Sequence, residues 1–272
     1  MKFHGKNRRI AVKKTTTTSW GNVADWYEEH LQSGDTHHER VIAPNVLRLL
    51  EPLRGKPLLE IGCGEGYFTR VLRAEGHSVV GSDIAKPLIQ KARAKDPQGA
   101  YHVATAEKLT FAADGIFAGV LAVLMLQNVE HVEMTLREVS RVLAPRGVML
   151  MILNHPTFRI PKRSSWGFDA AQGVQFRRLD GYLSASVSAI DMHPGAKGAR
   201  EVTYSHHRSL QDYAKALRTA GFVITKIEEW VSHRESGAGP RKAAEDTARK
   251  EFPLFLMIEA MKLPTSSMGH LT

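Results

Sequence analysis

The chain is short of several things, and each shortage excludes something. One cysteine, Cys63, stands in 272 residues. No intrachain disulfide framework can form, and a reducing compartment is expected. Cys63 lies between two glycines, where small size is the requirement. No apolar run reaches the ~20 residues of a membrane helix. The basic N-terminus lacks the apolar segment that would make it a secretory signal. A cytoplasmic protein is therefore expected, with organelle targeting by the basic start left open. The chain holds 13 histidines, but no spacing resembles a ligand set, so no metal is expected. Acidic residues are missing from the start: Lys2, Lys6, Arg8, Arg9, Lys13 and Lys14 all precede Asp25, within a net charge of +9. Residues 1–18 have no apolar period and read as a disordered tail. Such a tail suits a nucleic-acid arm, a targeting peptide or an inert leader. Aromatics make up only 7%, yet the hydrophobic share of 43% suffices for one full core.

What is present is organised around Pro57 to Asp83. Leu58 to Ile61 read as a buried parallel strand. Gly62, Gly64 and Gly66 follow at alternate positions. Phe68, Val71 and Leu72 then share a helical face, and Gly76 stops the helix. Ser78 to Gly81 form a second strand, with Asp83 just past its end. Glycines let the backbone turn sharply and let a ligand lie against it. The helix beyond presents unpaired N–H groups. A carboxylate about 20 residues on can accept both hydroxyls of a ribose. The stretch therefore specifies a nucleoside-containing ligand, and several cofactors meet that description. The dinucleotide fingerprint is G-x-G-x-x-G; here the third glycine comes one residue early, and Tyr67 stands where that fingerprint has glycine.

With Leu-Glu-Ile before it, Gly-Cys-Gly-Glu-Gly resembles motif I of the class I S-adenosylmethionine (SAM) methyltransferases. Matches continue downstream. Thr105-Ala106-Glu107-Lys108-Leu109-Thr110-Phe111 is similar to the family's loop after strand three, with Thr105 for its acid and Thr110 for its proline. Met125 to Val129 resembles the segment after strand four, beside the transferable methyl. Glu138, Arg141, Val142, Leu143 and Pro145 match Glu-x-x-Arg-Val-Leu-x-Pro-Gly-Gly. The resemblance is to the type 11 methyltransferase domain, which includes ubiquinone and menaquinone C-methyltransferases. It implies SAM as cofactor, held by Glu60, Gly62, Gly64, Gly66, Asp83, the adjoining Ile84, Thr105, Ala106, Glu107 and Gln127. It also implies an α/β, Rossmann-like, doubly wound sheet of seven strands in the order 3-2-1-4-5-7-6, the last strand antiparallel. No Asn-Pro-Pro-Tyr follows strand four, which weighs against exocyclic amines of nucleic-acid bases.

The expected layout is a tail at 1–18, N-terminal helices and cofactor core at 19–154, and a cap at 155–208. The rest of the core follows at 209–263, then a flexible end at 264–272. The first helix carries Trp20, Val23, Trp26 and Tyr27, and a second runs from about Thr36 to Leu50. About fifty residues between strand five and the next helix are too many for a bare connection. Alternation in Val174 to Leu179 and Tyr182 to Ile190, a turn at Met192 to Gly195, and a return strand at Glu201 to Ser205 suggest a small antiparallel cap. It would cover the sheet's C-terminal edge, where α/β folds bind ligands.

Phe158, Trp166, Phe168, Phe176, Tyr182 and Tyr204 fall in the cap, with Arg159, Lys162, Arg163, Arg177 and Arg178 between them. An aromatic substrate pocket, an RNA-stacking surface and a plain cap core all fit that composition. Candidate acceptor contacts are Tyr27, Asn128, Trp166, Tyr204 and Arg208. His155, His206 and His207 stand at the cap's two hinges as candidate bases for an acceptor that must lose a proton. The reading is methyl transfer from SAM to O, N or C of a small molecule. RNA methylation and a non-catalytic partner-binding subunit are the alternatives.

Overall fold

The computed structural model describes residue 20, residues 35–192 and residues 202–264. The expected basic tail, Trp26, Tyr27, the turn at His193 to Gly195 and the C-terminal end lie outside the described residues.

A π-helical turn, His38–Ile42, runs directly into helix α1 (Ala43–Leu50), which places Val46, Leu49 and Leu50 in the core. The alternation of strand and helix then begins: β1 (Pro57–Ile61), α2 (Tyr67–Ala74), β2 (Ser78–Asp83), α3 (Lys86–Lys95) and β3 (Ala100–Val103). After β4 (Phe117–Val123) come α4 (Val132–Val142) and β5 (Leu143–Asn154). β2, β3 and β5 are each reached through a helix, the usual parallel connection, while residues 104–116 carry the chain from β3 to β4 without one.

The chain leaves the sheet for two antiparallel hairpins. β6 (Ser164–Asp169) pairs with β7 (Val174–Leu179), and β8 (Ser186–Asp191) pairs with β9 (Val202–His207). It returns through α5 (Leu210–Thr219), β10 (Phe222–Trp230), α6 (Lys242–Glu251) and β11 (Phe255–Lys262). The sheet order is β10-β11-β5-β4-β1-β2-β3. β11 runs antiparallel to both neighbours, so the expected seven-stranded topology is what the chain adopts.

Both sheet faces are covered, and period-2 alternation sorts the side chains. In β5, Met149, Met151 and Leu153 join α4 and α5 on one face, while Leu150 and Ile152 join α1 and α2 on the other. β4 is apolar throughout because both of its faces are buried. Each fully buried Leu or Ile contributes about 1.5–3 kcal/mol. α5 is locked at its start by a capping box, in which Ser209 accepts from the Asp212 N–H and Asp212 returns a bond to the Ser209 N–H.

The hairpins differ from expectation in two places. β8 begins at Ser186 rather than Tyr182, because Tyr182 is held by α5: its hydroxyl accepts from the Leu210 N–H at 3.0 Å. β6 was not foreseen. Its Trp166 and Phe168 alternate with Gly167, where a Cβ would stand 2.4 Å from the Phe176 ring. That glycine makes room for the ring across the hairpin. Among the described residues, no helix is long and apolar enough to cross a membrane.

Candidate functional site

The glycine loop between β1 and α2 is built from left-handed residues: φ is 66° at Gly62, 56° at Gly64 and 80° at Gly66. These angles, not merely small size, require glycine. Close approach adds to it at Gly62, where a Cβ would lie 2.7 Å from the Cβ of Met125 in the loop after β4. At Gly66 a Cβ would meet the Tyr101 hydroxyl at 2.9 Å.

Asp83, at the end of β2, knits the loop to the sheet. Its Oδ2 accepts from the Gly64 N–H at 3.0 Å and its Oδ1 from the Ala85 N–H at 2.8 Å. Only 9% of Asp83 is exposed, and burial raises its pKa while the backbone donors oppose that rise. Each carboxylate oxygen retains a lone pair for a ligand.

Loop and carboxylate open into a cleft of about 950 Å³ at the carboxyl ends of the strands. Ile84, Thr105, Ala106 and Glu107 line it beside Asp83, and Gln127 and Asn128 line it under the loop after β4. Ile84 is a large apolar side chain left 42% exposed there. Gln127 Nε2 and Asn128 Nδ2 both donate to the carbonyl of Leu124, at 2.6 and 3.5 Å. Leu124 is itself held at a φ of 50°. The Oε1 of Gln127 is buried with no hydrogen-bond partner among the described residues.

Two of the expected cofactor residues stand behind the cleft rather than on it. Glu60 is 1% exposed and accepts the Thr69 hydroxyl. Burial pushes its pKa up to about 8, so at neutral pH it is a protonated buttress between β1 and α2. Gly66 likewise supports the loop against Tyr101.

The expected acceptor side is rearranged more thoroughly. The three histidines do not line the cleft. His155 is 1% exposed, with Nε2 2.7 Å from Glu229 Oε1 and Nδ1 accepting from the N–H groups of Thr157 and Phe158. Both ring nitrogens are thus committed, and burial holds its pKa low against the opposing pull of Glu229. His207 bonds to the Tyr182 carbonyl at 2.7 Å. Along β9, Thr203 and Ser205 line the cleft, and alternation turns Tyr204 and His206 to the other face. Arg208 is spent on the backbone, donating to the carbonyls of Val129 and Glu130 at 2.7 Å each. It fixes the loop after β4 rather than a ligand. Trp166 packs beneath Arg177 and edge-on to Phe252, away from the cleft. Tyr27 lies outside the described residues.

In place of those residues, the cleft wall is completed by Asn154, Arg159, Lys162 and Arg177 together with Thr203 and Ser205. Asn154 ends β5, at the sheet edge where such folds bind ligands, and that position alone could have singled it out. The sequence marked the basic residues as a group but held no signal for which of them turn inward.

Residues 59–151 match the family described as Methyltransferase domain. A malonyl-[acyl-carrier protein] O-methyltransferase of Halorhodospira halophila is 33% identical over 192 residues, covering 66% of this chain and 64% of that protein. A ubiquinone biosynthesis O-methyltransferase of Azorhizobium caulinodans is 35% identical over 108 residues, covering 38% of this chain and 42% of that protein. The chain thus spans about half the length of the curated relatives it matches, 50% in the case of the Erwinia pyrifoliae malonyl-[acyl-carrier protein] O-methyltransferase. An S-adenosylmethionine-dependent methyltransferase from Mesorhizobium loti superimposes with a TM-score of 0.64 at 29% identity, covering 80% of this chain and 96% of that one. Residues 59–151 are accordingly similar to a methyltransferase domain, in a chain that has the fold of the SAM-dependent methyltransferase from Mesorhizobium loti.

Proposed function

We propose that the chain is an enzyme that moves the methyl group of SAM to an oxygen of a small acceptor bound in the same cleft. The observation carrying this reading is that one cavity joins the Gly62–Asp83 region to Arg159, which follows β5, and to Thr203 and Ser205 of the second hairpin. A cofactor and an acceptor would therefore meet inside it. The volume, about 950 Å³, lies at the upper end of small-molecule sites.

The residues present fit SAM. Asp83 offers a lone pair on each oxygen to the ribose hydroxyls while the backbone holds the carboxylate in place. The left-handed glycines clear a path for the chain of the ligand beside the loop. Ile84 and the Thr105-Ala106-Glu107 turn face the position of a base, and the orphaned Oε1 of Gln127 is an acceptor awaiting a donor. Bound SAM supplies a sulfonium methyl that a nucleophile can take in line.

The chain's own contribution is positioning. Holding two reactants in line supplies about 7–11 kcal/mol of the barrier in well-oriented cases. A C–O bond forms at the acceptor oxygen as the methyl–sulfur bond breaks. An acceptor oxygen that is already anionic has no proton to give up, which accords with His155 and His207 being committed elsewhere and His206 facing away. The O-methyltransferase names of the two relatives support oxygen as the accepting atom. Against an RNA platform stands the inward position of Arg159 and Arg177 and the pairing of Arg178 with Asp180 at 3.1 Å.

The test is transfer of labelled methyl from SAM into a pooled small-metabolite extract and, separately, into structured RNA. Label in the metabolite fraction is expected, with release by mild base marking a methyl ester and retention a methyl ether. Label in RNA alone would refute the reading.

A further inference from the structure

We propose that Arg159 and Arg177 form an anion subsite in the cleft, and that the acceptor docks a carboxylate or phosphate there. The proposal rests on the methyl-transfer reading above and names the class of acceptor that it takes.

The two guanidinium groups are held firmly but have no counter-charge among the described residues. Arg159 donates from Nη1 to Asn154 Oδ1 at 2.7 Å and stands 5.7 Å from the centre of the Phe255 ring. Arg177 donates from Nε to the Phe158 carbonyl and from Nη2 to Ser164 Oγ, both at 2.8 Å, and lies 4.9 Å from the centre of the Trp166 ring. Each guanidinium has five donors, so donors remain on both. Among the described residues neither meets a carboxylate. Other anchored arginines do: Arg70 is paired with Glu65, and Arg141 with Glu138 and Asp114, while Arg208 is held by two backbone carbonyls. Burial and the charge of Arg177 together hold the pKa of Arg159 down.

Leaving two sheltered cations against each other is costly unless an anion arrives to pair them. A smaller cavity of about 220 Å³ lies behind the same two arginines, and its walls, Phe158, Trp166, Phe252, Pro253 and Leu254, contain no acid. Nothing neutralises them from that side either. Lys162, also on the cleft, adds a third positive charge to this wall.

Position assigns the subsite to the acceptor rather than to the cofactor's own carboxylate. Arg159 follows β5, whereas the glycine loop follows β1, with β4 between them in the sheet. The Arg159 guanidinium lies over Phe255 of β11, on the side of β5 away from the loop. A planar fork is also the geometry that recognises carboxylate and phosphate with two parallel bonds.

The test is calorimetry on the full chain saturated with S-adenosylhomocysteine, titrated with hexanoate, hexyl phosphate or neutral hexanol. At least one anion is expected to bind and hexanol is not; the two anions tell carboxylate from phosphate. Arg159→Met and Arg177→Met should each weaken anion binding by about 10- to 100-fold, the loss of a charge-assisted bond. Arg159→Lys should keep part of the binding, which reports that the site remains folded. Binding of neither anion, or equal binding of hexanol, overturns the proposal. So does a matching fall in S-adenosylhomocysteine affinity in either methionine variant, because the arginines would then serve the cofactor. If the anions bind the wild type but S-adenosylhomocysteine does not, the subsite stands and the methyl-transfer reading falls.

Discussion

Replacing Asp83 by Asn separates what this side chain does for the fold from what it does for the ligand. The carboxylate accepts one backbone N–H on each oxygen, from Gly64 at 3.0 Å and Ala85 at 2.8 Å. A carboxamide of the same shape has one acceptor oxygen, so one N–H is left facing an NH₂ group. An unsatisfied buried donor costs about 1–3 kcal/mol, which sets the expected loss of stability in Asp83→Asn. The ribose hydroxyls would lose charge-assisted bonds, each worth about 1.5–3 kcal/mol, so S-adenosylhomocysteine affinity should fall by roughly 10- to 100-fold beyond that. The pH profile carries a second signature. Burial raises the pKa of Asp83, and only the ionised form can take hydroxyl bonds on both oxygens. Wild-type affinity should therefore decline on acidification at a pH above the ordinary aspartate range, and the Asn variant should lose that dependence. Calorimetry between pH 4 and 8, with circular dichroism to verify folding, measures both effects. A folded Asp83→Asn protein with undiminished affinity would refute the assignment of the ribose to this carboxylate.

His155→Ala should cost stability rather than chemistry. It removes a buried ring that bonds Glu229 and two backbone N–H groups, a loss of about 2–4 kcal/mol, while cofactor affinity is unchanged. Because burial lowers the folded pKa of His155, its contribution is present above the unfolded value of about 6.5 and is lost as pH falls below it. Melting temperatures of the wild type and variant should converge in acid, and divergence there would contradict this account. Glu60→Gln tests the protonated buttress. With a folded pKa of about 8 against an ordinary 4.5, the stability that Glu60 contributes is full below the lower value and disappears as pH rises through the upper. The variant should match wild type near pH 5 and exceed it near pH 9, as read from thermal unfolding; a variant less stable at pH 9 would show that the charged form is the native one.

The cofactor half was legible because its constraints are local. A glycine loop and a carboxylate one strand later each leave a mark within a few residues of sequence, and both stand beside the cleft. The acceptor half was not. Whether Arg177 turns inward while Arg178 turns to Asp180 depends on how β7 sits against β6, where Gly167 faces Phe176 across the hairpin, and Arg159 is set by its bond to Asn154 at the end of β5. His155 looked like a base because it directly follows β5, but Asn154 faces the cleft and the next residue, His155, turns to Glu229 on β10. Arg208 looked like an anion holder because it stands at the cap's hinge, yet the unpaired carbonyls of Val129 and Glu130 claim it. Histidine and arginine suit either role, so their chemistry could not discriminate between them; long-range packing did.

The central claim is that the cleft holds SAM. Calorimetric titration of the wild-type chain with S-adenosylhomocysteine, and in parallel with NADH, tests it most directly. The account predicts saturable one-to-one binding of S-adenosylhomocysteine and none of NADH; tight NADH binding without S-adenosylhomocysteine binding would contradict it.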